Sequence, residues 1–251
     1  MDLAAQLKLH VGCAPDTILG SGLRLCRDLV AEGAIGTPIS ANAFMMNAGP
    51  ERFHPHPEFL YRKGAGPLFD GGPYDVSALT SILGPITNVS AMSATAHATR
   101  TIRTGGRAGE DFAVETPTHV SALLRFANGV VGTLVTSFDV LDTRVPRLEI
   151  HGTRGSLIAP APNSWAGPVL LRRETDSEFS ELPLRLEDSG FMGVGVIEMA
   201  QAIRAGSAPA ASGERGLHVL RVLDAIDASA SHGGDPVRVM VMTSTENVVK
   251  R

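Results

Sequence analysis

The sequence has few cysteines, few aromatic residues and no long apolar run. Its only two cysteines, Cys13 and Cys26, do not make a disulfide framework, and their spacing matches no common zinc motif. No apolar run approaches the ~20 residues needed to span a bilayer. Residues 1–6 lack the basic and apolar regions of a secretory signal. These absences predict a cytoplasmic protein with reduced thiols.

The sequence also has no strong excess of charge of either sign. Its 22 basic and 26 acidic side chains give a formal net charge of -4, and the pI is about 6.1. This balance gives no reason to expect nucleic acid or a membrane surface as a partner. Glycine (27 residues) and proline (16 residues) are abundant instead, which predicts many tight turns rather than a helical bundle.

Apolar periodicity predicts helices toward both ends of the chain and a long run of strands between them. The predicted helices are 2–7, 23–33, 69–83, 190–204 and 214–231, and the predicted strands are 9–13, 37–47, 87–103, 118–127, 130–138, 147–151, 156–159, 169–172, 180–184 and 236–241. Asn128-Gly129 predicts a hairpin with a type I′ turn. Consecutive strands joined by hairpins indicate an α+β fold, in which helices flank a large, mostly antiparallel sheet with one open face.

Reactive side chains are concentrated around the segment Gly64–Asp75, with the sequence GAGPLFDGGPYD. It leads from a glycine-rich turn into the predicted helix 69–83, where Asp70 and Tyr74 are four residues apart. Because side chains at i and i+4 share a helix face, both could contact one small polar ligand. The alternative is structural: Asp70 caps the helix and Tyr74 packs against its neighbours.

The proline-rich loop before this segment adds two imidazoles and a carboxylate, from His54, His56 and Glu58. Together with Asp70 the histidines could bind a divalent metal, but the preferred interpretation is a loop that covers the substrate without a metal. Glycoside hydrolysis would need two carboxylates across the scissile bond. Asp70 with Glu58 or Asp75 could supply them.

Two aromatic residues complete the candidate site. Tyr61 belongs to the same proline-rich loop and is expected to face the substrate together with His56. Trp165 lies in a loop between two strands, where it could serve as a platform for a sugar ring or as an anchor for the loop.

The stretch Gly20-Ser21-Gly22 precedes a helix and invites comparison with a dinucleotide-binding fingerprint. The fingerprint requires a third glycine, where this chain has Leu25, and an acidic residue after the next strand. Neither is present. The sequence therefore predicts no cofactor-binding residues in this stretch.

Three segments in the same order resemble the Gfo/Idh/MocA oxidoreductases: Glu32–Gly36, Gly64–Asp75 and Leu148–Leu157. Members of that family act mainly on sugars and cyclitols with NAD or NADP. They pair a Rossmann domain with a second domain built on a large, open-faced antiparallel sheet. The resemblance runs from Leu9 to about Val239 and concerns the second domain only.

The resemblance implies roles for individual residues. Asp70 falls on the substrate-contacting aspartate of the family, and Tyr74 on the catalytic position that is histidine in many members and tyrosine in some. Residues 1–16 would be a remnant of the Rossmann domain, its last helix and strand, and residues 17–251 a single substrate-binding domain. The Rossmann fingerprint and the Glu-Lys-Pro segment of the family do not occur in this sequence. NAD(P) is thus implied by the family, and this chain alone is not expected to bind it.

Three functions follow as hypotheses. The first is a sugar- or cyclitol-binding domain derived from an NAD(P)-dependent oxidoreductase, and the second is a cofactor-independent hydrolase or lyase for a carbohydrate-like substrate. The third is a non-catalytic assembly domain that dimerises through its sheet face. The residues assigned to catalysis are Asp70, Tyr74 and His56, and those assigned to substrate binding are His54, Glu58, Tyr61 and Trp165.

Overall fold

A nine-stranded sheet organises the structure, a computed structural model that describes residues 1–184 and 191–241. In chain order the strands are β1 Pro38–Met46, β2 Ile86–Ala94, β3 Thr99–Thr101, β4 Asp111–Ala113, β5 His119–Phe126, β6 Val131–Ser137, β7 Leu148–Gly152, β8 Gly155–Ala159, β9 Val169–Arg173, β10 Ser180–Leu182 and β11 Val237–Arg238. The order in the sheet is β10-β9-β8-β7-β1-β6-β5-β2-β11, while β3 and β4 pair separately. Among these described strands, only β1 and β6 pair in parallel. The prediction of an α+β fold with a mostly antiparallel sheet is confirmed.

Helices cover one face of this sheet. The α-helices of the described residues are α1 Asp2–Gln6, α2 Ser21–Ala31, α3 Gly66–Asp70, α4 Gly72–Leu83, α5 Val194–Ala205 and α6 Gly213–Ser231. Helix α2 contacts β8 and β9, α4 contacts β1, and α6 contacts β2, while α4 also packs against both α2 and α6. The large core cluster lies between this helical layer and the sheet. None of the described helices is both long and apolar enough to cross a membrane.

The other face of the sheet stays open, and the alternation in β5 shows why. Val120, Ala122, Leu124 and Phe126 are buried toward the helices, whereas the residues between them are exposed. Because successive side chains of a strand point to opposite faces, an alternating sequence buries one side only. Leu123 is 57% exposed on the open side.

The hairpin at Asn128-Gly129 is confirmed, but the predicted turn type is wrong. A type I′ turn needs positive φ at both central residues, and of the two only Gly129 has it, at 90°. The Gly129 N–H donates to the Phe126 carbonyl at 3.0 Å, and the Phe126 N–H donates to the Val130 carbonyl at 2.9 Å. The turn therefore spans residues 126–129, and glycine alone takes the left-handed conformation.

Three other predictions of secondary structure were wrong. Residues 9–13 form no strand and make one isolated bridge, between Gly12 and Ser212. The predicted strand 87–103 is divided into β2 and β3. The predicted helix 69–83 is divided at Gly71. The helix predicted at 190–204 is present as α5, although residue 190 lies outside the described residues, as do residues 242–251 of the predicted domain.

Candidate functional site

Asp70 and Tyr74 lie on two consecutive helices rather than on one. Asp70 is the last residue of α3, and Tyr74 is in the first turn of α4. The helix is interrupted because Pro73 has no N–H for the bond to the carbonyl four residues before it. Gly71, between the helices, has φ -93° and ψ -34°, and its N–H donates to the Pro67 carbonyl at 3.1 Å. The chain therefore stays in a helical conformation through Gly71, with Asp70 and Tyr74 on either side of the junction.

The carboxylate of Asp70 is free of protein partners in the described part of the chain. Its side chain is exposed, and it makes neither an ion pair nor a hydrogen bond there. It does not cap α4, whose N-cap is Gly71. Partial desolvation by surrounding protein atoms raises the pKa of Asp70 above its usual value. Tyr74 is half-buried. The structural alternative of a helix cap is thus wrong for Asp70.

Asp75, the next acidic residue, is fully buried and turned into the protein. Neither of its carboxylate oxygens has a hydrogen-bond partner, and the nearby Arg147 has an unpartnered buried Nε. Burial raises the pKa of Asp75 to about 7, and the positive charge of Arg147 partly offsets this. Asp75 therefore offers no surface to a ligand in the way that Asp70 does.

The polar residues of the proline-rich loop are held by Arg107 rather than by Asp70. Arg107 Nη1 donates to Glu58 Oε1 at 2.5 Å and lies 3.3 Å from His56 Nδ1. A backbone hydrogen bond and then the Arg107 side chain lower the pKa of Glu58. His54 accepts a hydrogen bond from the backbone N–H of His56 at 3.0 Å. The loop is thereby fastened to the loop between β3 and β4.

Tyr61 lies in the interior instead of facing a ligand. It is 0% exposed and packs against Phe112 and Phe138. Its hydroxyl donates to the buried Glu51 carboxylate. Burial, followed by this hydrogen bond, raises the pKa of Tyr61 well above its usual value. Contrary to the substrate contact expected for it, Tyr61 packs in the interior and offers no surface to a ligand.

Trp165 lies beside the glycines of the Gly20-Ser21-Gly22 stretch. A Cβ at Gly20 would collide with the carbonyl oxygen of Trp165, and one at Gly22 would meet the Pro160 ring. The glycines thus let the start of α2 approach the loop between β8 and β9.

The structure places Asp70 at the end of α3 and Tyr74 in the first turn of α4. Arg107 contacts His56 and Glu58, and His54 contacts the backbone of His56. Within residues 1–184 and 191–241 no hydrogen bond or ion pair joins His56 to Asp70 or Tyr74. In the same residues no group of three or more His, Cys, Asp or Glu side chains is placed to hold a metal ion. Sequence reasoning missed Arg107 because its partners are 49 and 51 residues away.

A family model described as the GFO/IDH/MocA C-terminal domain matches residues 23–158, which is more than half of the chain. The chain belongs to the Gfo/Idh/MocA family. This confirms the resemblance of the three sequence segments, and the match includes both Asp70 and Tyr74.

Solved structures share the fold of this Gfo/Idh/MocA chain. An NAD binding oxidoreductase from Klebsiella pneumoniae matches with a TM-score of 0.80 and 23% identity, over 96% of this chain and 69% of that chain. Levoglucosan dehydrogenase in complex with NADH and levoglucosan matches with a TM-score of 0.74 and 20% identity, over 92% of this chain and 67% of that chain. Aldose-aldose oxidoreductase from Caulobacter crescentus complexed with glycerol matches with a TM-score of 0.70 and 19% identity, over 95% of this chain and 66% of that chain. This chain thus spans about two thirds of the length of these proteins.

The chemistry available to the Gfo/Idh/MocA domain at Asp70 and Tyr74 is hydrogen bonding to a polar ligand. An ionised carboxylate can only accept hydrogen bonds and has two oxygens to do so, whereas a phenolic hydroxyl both donates and accepts. Vicinal hydroxyl groups would meet both requirements. We assign no dinucleotide-binding residue in the described part of the chain and derive no redox step from it.

Proposed function

We propose that this domain binds a sugar or cyclitol and that Asp70 and Tyr74 contact the hydroxyl groups of the ligand. The observation that carries the proposal is the exposed Asp70 carboxylate, which has no partner among the described residues and lies four residues before the half-buried Tyr74. Membership of the Gfo/Idh/MocA family supports the choice of ligand class. So do relatives of the same fold, whose names describe proteins acting on levoglucosan and aldoses.

We further propose that hydride transfer in this system needs a dinucleotide-binding domain beside this one. Residues 1–16 would then be the end of that Rossmann unit, and residues 17–251 the substrate domain. The apolar side chains of Leu3, Leu7 and Leu9 are 67%, 59% and 62% exposed, which supports a covering partner at this end. NAD(P) would be held by that partner. Fluorescence titration should show no saturable NADH binding by this chain alone, and saturable binding would contradict this proposal.

The ligand-binding proposal is tested by calorimetric titration with levoglucosan, myo-inositol and glucose. Asp70→Asn should weaken binding of the ligand that the wild type prefers by about 10- to 100-fold, because a hydrogen bond to a charged group contributes about 1.5–3 kcal/mol. Asp224→Asn, an exposed carboxylate on α6, is the matched control and should bind like the wild type. Equal affinity of all three proteins would overturn the role of Asp70.

The hydrolase or lyase hypothesis has no comparable support. It requires His56 to act together with Asp70 and Tyr74, whereas the contacts of His56 are with Arg107 and His54. Screening of glycosides and esters, with Asp70→Asn as the comparison, remains its direct test.

Assembly through the open sheet face is a second candidate function, and exposed apolar residues favour it. Met92 and Leu123 are 67% and 57% exposed, Val131 is 42% exposed, and all three lie on strands of that face. A self-complementary patch of this kind suits a twofold dimer. Sedimentation equilibrium should show a dimer that Leu123→Arg dissociates. A wild-type protein that is entirely monomeric at micromolar concentration would contradict this proposal.

A further inference from the structure

A second pocket lies apart from Asp70 and Tyr74, between the ends of β1 and β6 and the connection from β2 to β3. Its volume is about 400 Å³, which is within the range of small-molecule sites. Neither Asp70 nor Tyr74 lines it. Its floor is formed by the buried side chains of Glu51 and Arg100 and the partly buried side chain of Asp139, and its rim by the exposed side chains of Arg52 and Arg103. The floor and the rim differ in net charge.

The floor is a buried network around Arg100. This arginine is 9% exposed and pairs with the carboxylates of Glu51, at 2.7 Å, and of Asp139. Tyr61 donates to Glu51, and Thr118 donates to Asp139 at 2.6 Å. One positive and two negative charges leave the floor with a net charge of -1. Four side-chain contacts hold the network, while the buried Arg100 Nε has no hydrogen-bond partner among the described residues.

The rim carries two positively charged side chains that lack an ion-pair partner among residues 1–184 and 191–241. Arg52 and Arg103 are exposed, and neither makes an ion pair with any described residue. Arg52 Nε donates to the Ala48 carbonyl at 3.2 Å, which holds that side chain against the loop. The backbone N–H of Arg103 donates to the Glu51 carbonyl at 2.9 Å. The backbone of Arg103 is therefore bonded to Glu51 of the buried cluster, Arg52 follows Glu51 directly in the chain, and both arginines line the same pocket.

We propose that this pocket binds a small hydroxylated molecule carrying one carboxylate or phosphate group, with the anionic group held at the rim by Arg52 and Arg103. Guanidinium groups bind both kinds of oxyanion through paired hydrogen bonds. The net negative floor repels a second anionic group, so the part of the ligand that enters the pocket is neutral. Its hydroxyl groups meet Asp139, Thr99 and His97, which also line the pocket. A sugar phosphate or a sugar acid has this composition.

The proposal is independent of the sugar site at Asp70, and the test keeps the two apart. Calorimetric titrations use glucose 6-phosphate, gluconate, inorganic phosphate and neutral glucose, at about 0.05 M and about 0.3 M NaCl. We expect saturable binding of glucose 6-phosphate, of gluconate or of both, weaker at the higher salt concentration. Binding of only one of them identifies the anionic group as phosphate or as carboxylate.

The decisive variant is Arg52→Gln combined with Arg103→Gln, which should weaken binding of the anionic ligand at least about tenfold. Arg125→Gln is the matched control, because Arg125 is an exposed arginine on the open face of the sheet. The double variant should cause the same loss when Asp70→Asn is also present, because the contacts at the sugar site are then weakened in both proteins compared. Both rim arginines are exposed, so the double variant should melt like the wild type. No binding of any of the three anions at millimolar concentration, or equal binding by the double variant, would overturn the proposal.

Discussion

Asp75 should make the stability of this domain depend on pH. Its carboxyl group is fully buried in α4, both oxygens lack hydrogen-bond partners, and Arg147 is the charged group that acts on it. Burial raises the pKa from 3.8 to about 7 in the folded protein. Between these two pH values the folded state holds a proton that the unfolded state has released. The free energy of unfolding must therefore fall as the pH rises through this window.

The size of the effect follows from the two pKa values. Within the window, each pH unit lowers the free energy of unfolding by about 1.4 kcal/mol. The total loss of stability reaches about 4 kcal/mol once the pH exceeds the pKa of Asp75 in the folded protein. Asp75→Asn has nearly the same shape but cannot ionise. It should therefore raise the free energy of unfolding by up to about 4 kcal/mol at about pH 8, and change it little at about pH 4.

Urea denaturation of the wild type and the variant at a series of pH values measures this difference. A gain that is equal at about pH 4 and about pH 8 would refute the reasoning, because the effect would then not come from ionisation. Arg147→Met provides a second check. Loss of the Arg147 charge should lower the free energy of unfolding further at high pH, where Asp75 is ionised. In a protein that also carries Asp75→Asn, the effect of Arg147→Met should not depend on pH.

Three further predictions concern packing and reactivity. Arg100→Met should lower the free energy of unfolding by about 3–5 kcal/mol in urea denaturation, because two buried carboxylates lose their cation. Gly20→Ala should lower the free energy of unfolding by about 1–3 kcal/mol, because the new Cβ would collide with the carbonyl of Trp165. Gly106→Ala is its control and should change the free energy of unfolding by less than about 0.5 kcal/mol, because a Cβ there meets open space. A thiol reagent should label the exposed Cys13 in the native protein and Cys26 only after unfolding, because Cys26 is 0% exposed and burial raises its pKa to about 12. Rapid labelling of both thiols in the native state would contradict the packing of α2.

The fold class was predictable because its signals are local. The alternation in β5 depends on neighbouring residues only and matches the buried face in the structure. In α6 the same reasoning succeeds in part, because Leu223 and Ile226 are buried whereas Leu220 is 48% exposed. The division of the predicted helix 69–83 was missed although Pro73 is visible in the sequence. The apolar periodicity on both sides of Gly71 predicted one continuous helix, and the missing N–H of Pro73 was too weak a signal to divide it. The junction also depends on a distant residue, because the side chain of Met45 leaves no room for a Cβ at Gly71.

The sequence by itself determined the family and the mostly antiparallel sheet, and it predicted a joint role for Asp70 and Tyr74, because periodicity and short motifs lie within a few neighbouring residues. Only the tertiary structure decided what surrounds them. Arg107 binds Glu58 from 49 residues away, and Arg100 reaches Glu51 across the same separation. Ion pairs between distant segments leave no periodic signal in the sequence, since their energy depends on the distance between charges in the folded chain. The same dependence on tertiary structure explains why the sequence could not show that Tyr61 is buried while Asp70 is exposed to solvent.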